Sequence, residues 1–177
     1  MTPNCGRSDR RGIRIMALIT VGVVSDTHCS GMADLPPELV KGLAHVDVIV
    51  HAGDYTGKKL IDDLQGLGTF RGVHGNMDPP AVRNILPERE VLQLGGKRIG
   101  LVHGWGAPVG LQKRALDCFS DVAAVIYGHS HMAGSEVIDG VLMFNPGSAC
   151  GKFPALRKTY GVLRVEETIG SEIVTIG

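Results

Sequence analysis

Residues 18–54, LITVGVVSDTHCSGMADLPPELVKGLAHVDVIVHAGD, contain the pattern that decides the fold. Segment 18–24 is short, apolar and rich in β-branched residues, which predicts a buried strand. Pro36 and Pro37 suit the start of a helix. Behind them, three apolar residues repeat at helical spacing: Leu39, Val40 and Leu43. Segment 46–50, VDVIV, predicts a second strand, and the order strand–helix–strand is typical of a parallel sheet with helices on its faces.

The same pattern continues to residue 73. Thr56 is in position to cap a second helix, whose apolar residues are Leu60, Ile61 and Leu64. Segment 67–73 predicts a third, weaker strand. The first part of the chain, 18–73, therefore reads β-α-β-α-β.

The second half has a different character. Two glycine-containing turns, Gly95-Gly96 and Asp139-Gly140, each separate two strand-like runs and predict β-hairpins. Helices are expected near 81–86 and 109–119. The expected strands are 89–94, 97–102, 122–127, 135–138, 141–144, 160–165 and 171–176. We predict an α/β domain with a parallel first half and an antiparallel second half, arranged as two packed sheets.

Length and composition narrow the class of protein. A chain of 177 residues fits one domain, which we expect over 16–177 after a disordered leader at 1–15. Equal counts of 18 basic and 18 acidic residues disfavour binding to extended nucleic acid. No apolar run is long enough for a membrane span. The four cysteines form no CxxC pair, which predicts a reducing, cytoplasmic location; they are Cys5, Cys29, Cys118 and Cys150.

Polar side chains follow five of the predicted strands, at the point where each strand ends. They are Asp26, His28, Asp54, Asn76, His103, His129 and His131. Open α/β sheets bind ligands at the carboxyl ends of their strands. Any one of these residues alone is best read as a turn residue, but seven nitrogen and oxygen donors on one rim predict a metal site.

The ordered set of motifs resembles the calcineurin-like metallophosphoesterase family. The motifs are Asp26-x-His28, Gly53-Asp54, Gly75-Asn76-x-Asp78, His103-Gly104 and Gly128-His129-Ser130-His131, extended by Asn145-Pro146-Gly147-Ser148. The short chain is similar to the family's small bacterial and archaeal phosphodiesterase branch. The resemblance implies a four-layer α-β-β-α sandwich of two mixed sheets.

The resemblance also implies a centre of two divalent metal ions. It assigns three ligands to the first ion, Asp26, His28 and His131. It assigns three to the second, Asn76, His103 and His129, and makes Asp54 the bridge. Asp54, Asn76 and His103 are expected to be catalytic, around a metal-bridging hydroxide that attacks phosphorus. Mn²⁺ is the expected metal, with Fe²⁺, Ni²⁺ and Zn²⁺ as alternatives, because all accept mixed histidine, carboxylate and amide ligands.

One position departs from the family pattern. Met77 stands where larger relatives have a histidine that protonates the leaving group, and methionine cannot act as an acid. His74 is either a substitute acid or a plain loop histidine. Asp78 either orients a neighbour of the metal ligands or caps the turn before Pro79. Trp105 either walls the pocket, stacks a base or packs in the core.

We therefore expect a dimetal phosphodiesterase that hydrolyses small phosphodiesters or nucleotides. Two alternatives remain open. One is a non-catalytic scaffold of the same fold, like the retromer subunit whose site has lost ligand histidines. The other is a phosphomonoesterase or pyrophosphate-bond hydrolase that uses the same site. The expected partner is a small phosphate ester, with no membrane partner, and self-association is left open.

Overall fold

A computed structural model describes residues 17–177. The expected leader at 1–15, and Met16 at the expected domain start, lie outside the described residues. Two five-stranded sheets pack face to face, with helices on both outer surfaces. This is the four-layer α-β-β-α sandwich. None of the helices in the described range is long and apolar enough to cross a membrane.

The first sheet contains strands from both ends of the described chain. Its strands are β1 (Ile19–Val24), β2 (Val48–His51), β3 (Phe70–Gly72), β9 (Lys158–Val165) and β10 (Ile169–Ile176), in the order β10-β9-β1-β2-β3. β1, β2 and β3 are parallel, while β9 runs antiparallel to β1 and β10 runs antiparallel to β9. The predicted parallel first half is confirmed.

The second sheet corrects the prediction of an antiparallel second half. Its strands are β4 (Arg89–Leu94), β5 (Lys97–Val102), β6 (Ala124–Ile126), β7 (Gly134–Ile138) and β8 (Val141–Asn145), in the order β4-β5-β6-β8-β7. The two hairpins form as expected. The central strands β5, β6 and β8 are nevertheless parallel, because a helical crossover joins β5 to β6 and β7 lies outside β8.

Three apolar layers hold the sandwich together. Between the sheets, Val21 and Val23 of β1 pack in one cluster with Ile99 and Leu101 of β5. On the outer face of the first sheet lie α1 (Pro37–Leu43) and α2 (Lys58–Leu67), and on that of the second lies α4 (Leu111–Leu116). Both faces of the parallel strands are thus covered, which explains their continuous apolar runs.

The helices are shorter than their sequence patterns predict. The helix expected at 109–119 is observed as α4, and the one expected at 81–86 is observed as α3 (Pro80–Arg83). Both end early because turns whose hydrogen bonds span three residues replace the last predicted helical residues. The expected Thr56 cap is wrong. α2 begins after Gly57 without a side-chain cap, and the Thr56 hydroxyl lies 3.1 Å from that of Ser30. A short 3₁₀ helix, Met32–Asp34, was not expected.

Candidate metal centre

The two sheets bring their parallel strands to a common rim. Asp26 and His28 follow β1, Asp54 follows β2 and Asn76 follows β3. From the second sheet, His103 follows β5, and His129 and His131 follow β6. The rims touch directly, since the backbone N–H of His129 donates to Asp26 Oδ2 over 3.0 Å. All seven predicted ligands therefore lie at one end of the sandwich.

Most of these ligands have an unusual backbone conformation. Five of them have a positive φ between 47° and 70°: Asp26, His28, Asp54, His129 and His131. Within residues 17–177, only two other non-glycine residues do so, Asp121 and Asp139. Left-handed backbone is uncommon outside glycine and concentrates at functional sites, where the surrounding structure imposes it. The sharp turns aim short polar side chains back across the strand ends.

Each carboxylate is held by hydrogen bonds and turns one oxygen towards a histidine of the centre. Asp26 Oδ2 accepts from the Ser25 hydroxyl over 2.6 Å, both Asp26 oxygens accept from the His129 N–H, and Asp26 Oδ1 lies 3.3 Å from His131 Nε2. Asp54 Oδ1 accepts from the Met77 N–H over 2.9 Å, and Asp54 Oδ2 lies 3.3 Å from His103 Nε2. These hydrogen bonds orient the oxygens that face the histidines for a shared ligand.

Backbone carbonyls set the tautomers of two histidines. His103 donates its Nδ1 proton to Ala52 O over 2.7 Å, and His131 donates its Nδ1 proton to Lys152 O over 2.9 Å. In the neutral rings, both Nε2 lone pairs then face carboxylate oxygens. His103 Nε2 is also the one buried side-chain nitrogen or oxygen, among the described residues, that has no hydrogen-bond partner. A nitrogen lone pair and a carboxylate oxygen repel each other at this distance unless a proton or a metal ion lies between them.

The remaining ligands complete the ring of donors. His28 Nε2 lies 3.3 Å from His131 Nε2 and 3.9 Å from Asp54 Oδ2. Asn76 Oδ1 lies 2.9 Å from His129 Nδ1, while His129 Nε2 donates to Gly106 O over 2.8 Å. One ligand atom from each of four residues falls within 4.8 Å of the other three: Asp26, His28, Asp54 and His131. These four are the expected ligands of the first ion and the bridge, so the donor set fits a divalent metal.

The electrostatics of the centre also favour positive charge. Burial alone would lower the pKa of His103, but the Asp54 and Asp26 carboxylates outweigh it and raise that pKa. A hydrogen bond with Asp26 raises the pKa of His131. Burial pushes the pKa of Asp54 upward, and contact with His103 reverses this and lowers it. A proton or a metal ion therefore binds favourably at these ring nitrogens, and the metal must displace the proton.

Asp78 lies behind the predicted ligands rather than among them. Its carboxylate accepts from three backbone N–H groups, of Gly75 over 2.6 Å, Tyr55 over 2.7 Å and Asp54 over 3.0 Å. It thereby ties the turn after β2 to the turn after β3. Burial nevertheless raises its pKa. Of the two readings of Asp78, this geometry favours the one in which it orients a ligand.

His74 does not line the cavity that lies over the predicted ligands. That cavity, of about 390 Å³, has three walls that are not predicted ligands: Met77, Lys152 and Phe153. His74 lines a separate cleft of about 180 Å³, together with Asn76, His103 and Trp105. Trp105 is partly exposed at this cleft, which excludes the reading in which it packs in the core.

Sequence reasoning missed the segment that supports the first-ion ligands from behind. Ser148 donates its hydroxyl proton to Asp26 O over 2.8 Å and accepts from the Lys152 N–H over 3.0 Å. Cys29 and Cys150 also meet here, with 3.1 Å between their Sγ atoms although 121 residues separate them in the chain. Only the NPGS motif at 145–148 marked this segment in the sequence.

Comparison with known proteins agrees with this geometry. The calcineurin-like phosphoesterase superfamily domain matches residues 19–168. A probable metallophosphoesterase of Methanocaldococcus jannaschii is 34% identical over 160 residues, which cover 88% of this chain and 81% of that protein. A phosphodiesterase of the same organism is 28% identical over 171 residues, covering 87% and 98%. Vps29 of Entamoeba histolytica shares the fold, with a TM-score of 0.69 at 24% identity over 90% of this chain and all of that one.

Proposed function

The chain belongs to the calcineurin-like phosphoesterase superfamily, and we propose that it is a phosphodiesterase that hydrolyses small phosphodiesters or nucleotides. Metal-dependent hydrolysis of a phosphoric ester is the activity of this family. The observation that carries the proposal is the His103 ring. A backbone carbonyl fixes its tautomer, and its buried Nε2 lone pair faces the Asp54 carboxylate with no proton donor between them.

We propose a ligand assignment for two ions. Asp26, His28 and His131 would hold the first ion, which their cluster with Asp54 supports, and Asn76, His103 and His129 would hold the second. Asp54 would bridge the two, since its Oδ2 lies 3.9 Å from His28 Nε2 and 3.3 Å from His103 Nε2. Mn²⁺ is the metal we propose, because all seven donors are oxygens or imidazole nitrogens and no thiolate is among them.

Two bound ions would activate a water molecule and neutralise charge on the phosphoryl oxygens. The protein's own part is to hold the ligands and to shape the entrance. Met77 supports Asp54 through its backbone N–H and presents a 65% exposed thioether side chain to the cavity. Since this position offers no proton to a leaving alcohol, we propose that substrates with good leaving groups are favoured.

The cleft beside Asn76 and His103 suits the group of the substrate that stays bonded to phosphorus when the leaving group departs. Its volume of about 180 Å³ is below the roughly 300–1,000 Å³ of a site for a whole drug-sized ligand. Its walls include the Trp105 and Glu88 side chains, which offer stacking and a hydrogen-bond acceptor. Arg114 fixes the Trp105 loop through the carbonyls of Trp105 and Val109. A preformed aromatic wall next to the metal centre favours a nucleoside group.

A reloading assay tests the phosphodiesterase proposal. The protein is stripped with a chelator, reloaded with Mn²⁺, Ni²⁺, Zn²⁺ or Mg²⁺, and assayed with bis-p-nitrophenyl phosphate and p-nitrophenyl phosphate. We expect metal-dependent hydrolysis that favours the diester and is lost in Asp54→Asn. Asp62→Asn, at a half-exposed carboxylate on α2, serves as the matched control. Hydrolysis of the monoester alone would contradict the proposal and indicate a phosphatase.

The nucleoside proposal has a separate test because Trp105 is the single tryptophan of the chain. Binding of a nucleoside monophosphate should quench its fluorescence even in metal-free protein. Trp105→Leu should also raise KM for thymidine 5′-p-nitrophenyl phosphate more than for methyl p-nitrophenyl phosphate, which has the same leaving group. Val109→Ala, a change at an 88% exposed residue of the same loop, is the control. Equal effects on both substrates would refute the nucleoside proposal.

The non-catalytic scaffold remains the second candidate because Vps29 shares the fold. This chain, however, retains all seven metal-competent side chains of the predicted set, and five of the seven have a left-handed backbone. Loss of selection for metal binding would leave no reason to maintain such strain. Silence with every metal and substrate in the assay would favour the scaffold.

A further inference from the structure

Two cysteines from opposite sheets lie in contact behind the metal centre. Cys29 follows His28 at the end of β1, and Cys150 lies in the loop after β8. Their Sγ atoms are 3.1 Å apart. Both are free thiols, and Cys118, the third cysteine of the described residues, is also free. A contact this short allows a disulfide to form after only a small movement of the two loops.

We propose that Cys29 and Cys150 form a reversible disulfide, an oxidative modification site that weakens binding of the first metal ion. The formation of the disulfide stands on the thiol contact alone, while its effect on catalysis rests on the proposed function. A peroxide is the oxidant. The Cys150 thiolate attacks one peroxide oxygen and becomes a sulfenic acid, the O–O bond breaks, and the departing hydroxide takes up the proton that the thiol had released and becomes water. The Cys29 sulfur then displaces the second water, so two thiols and one peroxide give one disulfide and two waters.

The surroundings of the pair distinguish the two sulfurs. A cavity of about 410 Å³, lined by both cysteines, Lys152 and Lys158, opens beside them to solvent. Cys29 is only 5% exposed, whereas Cys150 is partly exposed. The hydrogen bond from Cys29 lowers the pKa of Cys150, and the two lysines add to this effect. Cys150 is thus the sulfur that meets the oxidant, and Cys29 is the one that closes the disulfide.

The disulfide would act on the predicted ligands of the first ion through short connections. Cys29 is the chain neighbour of His28, whose φ is 47°. On the other loop, Ser148 holds Asp26 O over 2.8 Å, and Lys152 O accepts the Nδ1 proton of His131 over 2.9 Å. Drawing the loops together therefore shifts the groups that orient Asp26, His28 and His131. Loss of such orientation typically reduces metal affinity roughly 10–100-fold.

The first experiment tests the disulfide without any assay of activity. Metal-free Cys5→Ser protein, which retains the three described cysteines, is treated with hydrogen peroxide and freed of oxidant. We expect two thiols to disappear, and peptide mass spectrometry to find a Cys29–Cys150 cross-link that a phosphine reductant removes. Cys118→Ser should cross-link equally, and Cys150→Ser not at all. Oxidised protein without this cross-link would overturn the proposal.

The second experiment tests the coupling to the metal centre. Mn²⁺ is titrated into the reduced and oxidised proteins, and free ion is measured by electron paramagnetic resonance. We expect the affinity for the first ion to fall at least roughly ten-fold on oxidation and to return on reduction. Cys150→Ser should bind Mn²⁺ like the reduced protein before and after peroxide. A cross-link that leaves Mn²⁺ affinity unchanged would overturn the coupling, whether or not the protein hydrolyses any phosphodiester.

Discussion

At the scale of single residues, Asp78 gives a direct test of how the ligands are oriented. Asp78→Asn keeps the size of the side chain but turns one of its two acceptor oxygens into an N–H donor that faces backbone N–H groups. We expect kcat/KM and metal affinity to fall together, roughly 10–100-fold. Asp62→Asn is the control on an exposed helix face. A change in stability with unaltered metal affinity would show that Asp78 only holds the turn.

The proposed function makes Met77 the residue that limits which leaving groups the protein tolerates. Met77→His should raise turnover of esters with poor leaving groups more than that of p-nitrophenyl esters, because only the former need a proton donor. The measurement is the dependence of kcat on the pKa of the leaving group. An equal rise for both classes of ester would mean that protonation does not limit the rate.

His51 should make the stability of the metal-free protein depend on pH. Burial lowers the pKa of His51 from 6.5 to about 3, and its ring stacks on Tyr55 at 3.8 Å. Above pH 6.5 the ring is neutral in both states and adds no pH dependence. Between pH 6.5 and about 3 only the unfolded chain takes up the proton, so stability falls as pH falls, by about 1.4 kcal/mol per unit.

Urea unfolding of the metal-free protein between pH 7.5 and 4.5 measures this slope. His51→Gln should remove the contribution of His51 to this slope, whatever constant offset the substitution adds to the stability at pH 7.5. Equal slopes in the two proteins would contradict the buried neutral imidazole.

The gathering of the candidate site residues at one rim could be predicted from the sequence, but the hydrogen bonds that orient them could not. The seven polar residues could be found because each of them follows an apolar run that predicts a strand. The contacts of Asp78, Ser148 and Cys150 join positions that are 24, 122 and 121 residues apart in the chain and that only the fold brings together. The tautomer of His103 likewise depends on Ala52 O, 51 residues earlier in the chain.

At the scale of helices and strands, a substitution in α2 should change the stability of the protein without changing its affinity for metal. Leu64 is fully buried on the outer face of the first sheet. Leu64→Ala should lower the free energy of unfolding by about 2–5 kcal/mol. Mn²⁺ affinity should stay unchanged in the folded protein, because α2 supplies no ligand. Lys58→Ala, at the exposed start of the helix, should stay within about 0.5 kcal/mol of the wild type. Both are measured by urea unfolding and Mn²⁺ titration.

Local signals explain which elements the sequence predicts well. β4 and β5 were predicted at their observed bounds, since Gly95 and Gly96 fix the hairpin turn between them. The parallel pairing of β5, β6 and β8 was missed because two hairpin signals suggested a wholly antiparallel sheet. The predicted order of strand 97–102, helix 109–119 and strand 122–127 did indicate the crossover through α4 that makes β5 and β6 parallel, but the hairpin signals on either side were given more weight.

At the scale of the whole molecule, the metal centre is a property of the interface between the sheets. Each sheet has three adjacent parallel strands, and all six end at the same rim. Neither sheet alone supplies both carboxylates and the four histidines. The central claim is therefore that folding assembles two ion sites around Asp54.

Anomalous X-ray scattering from crystals of the Mn²⁺-loaded protein tests that claim most directly. We expect two peaks, roughly 3.5–4 Å apart, on either side of the Asp54 carboxylate. One peak should contact Asp26, His28 and His131, and the other Asn76, His103 and His129. A single peak, or two peaks that do not share Asp54, would contradict the account.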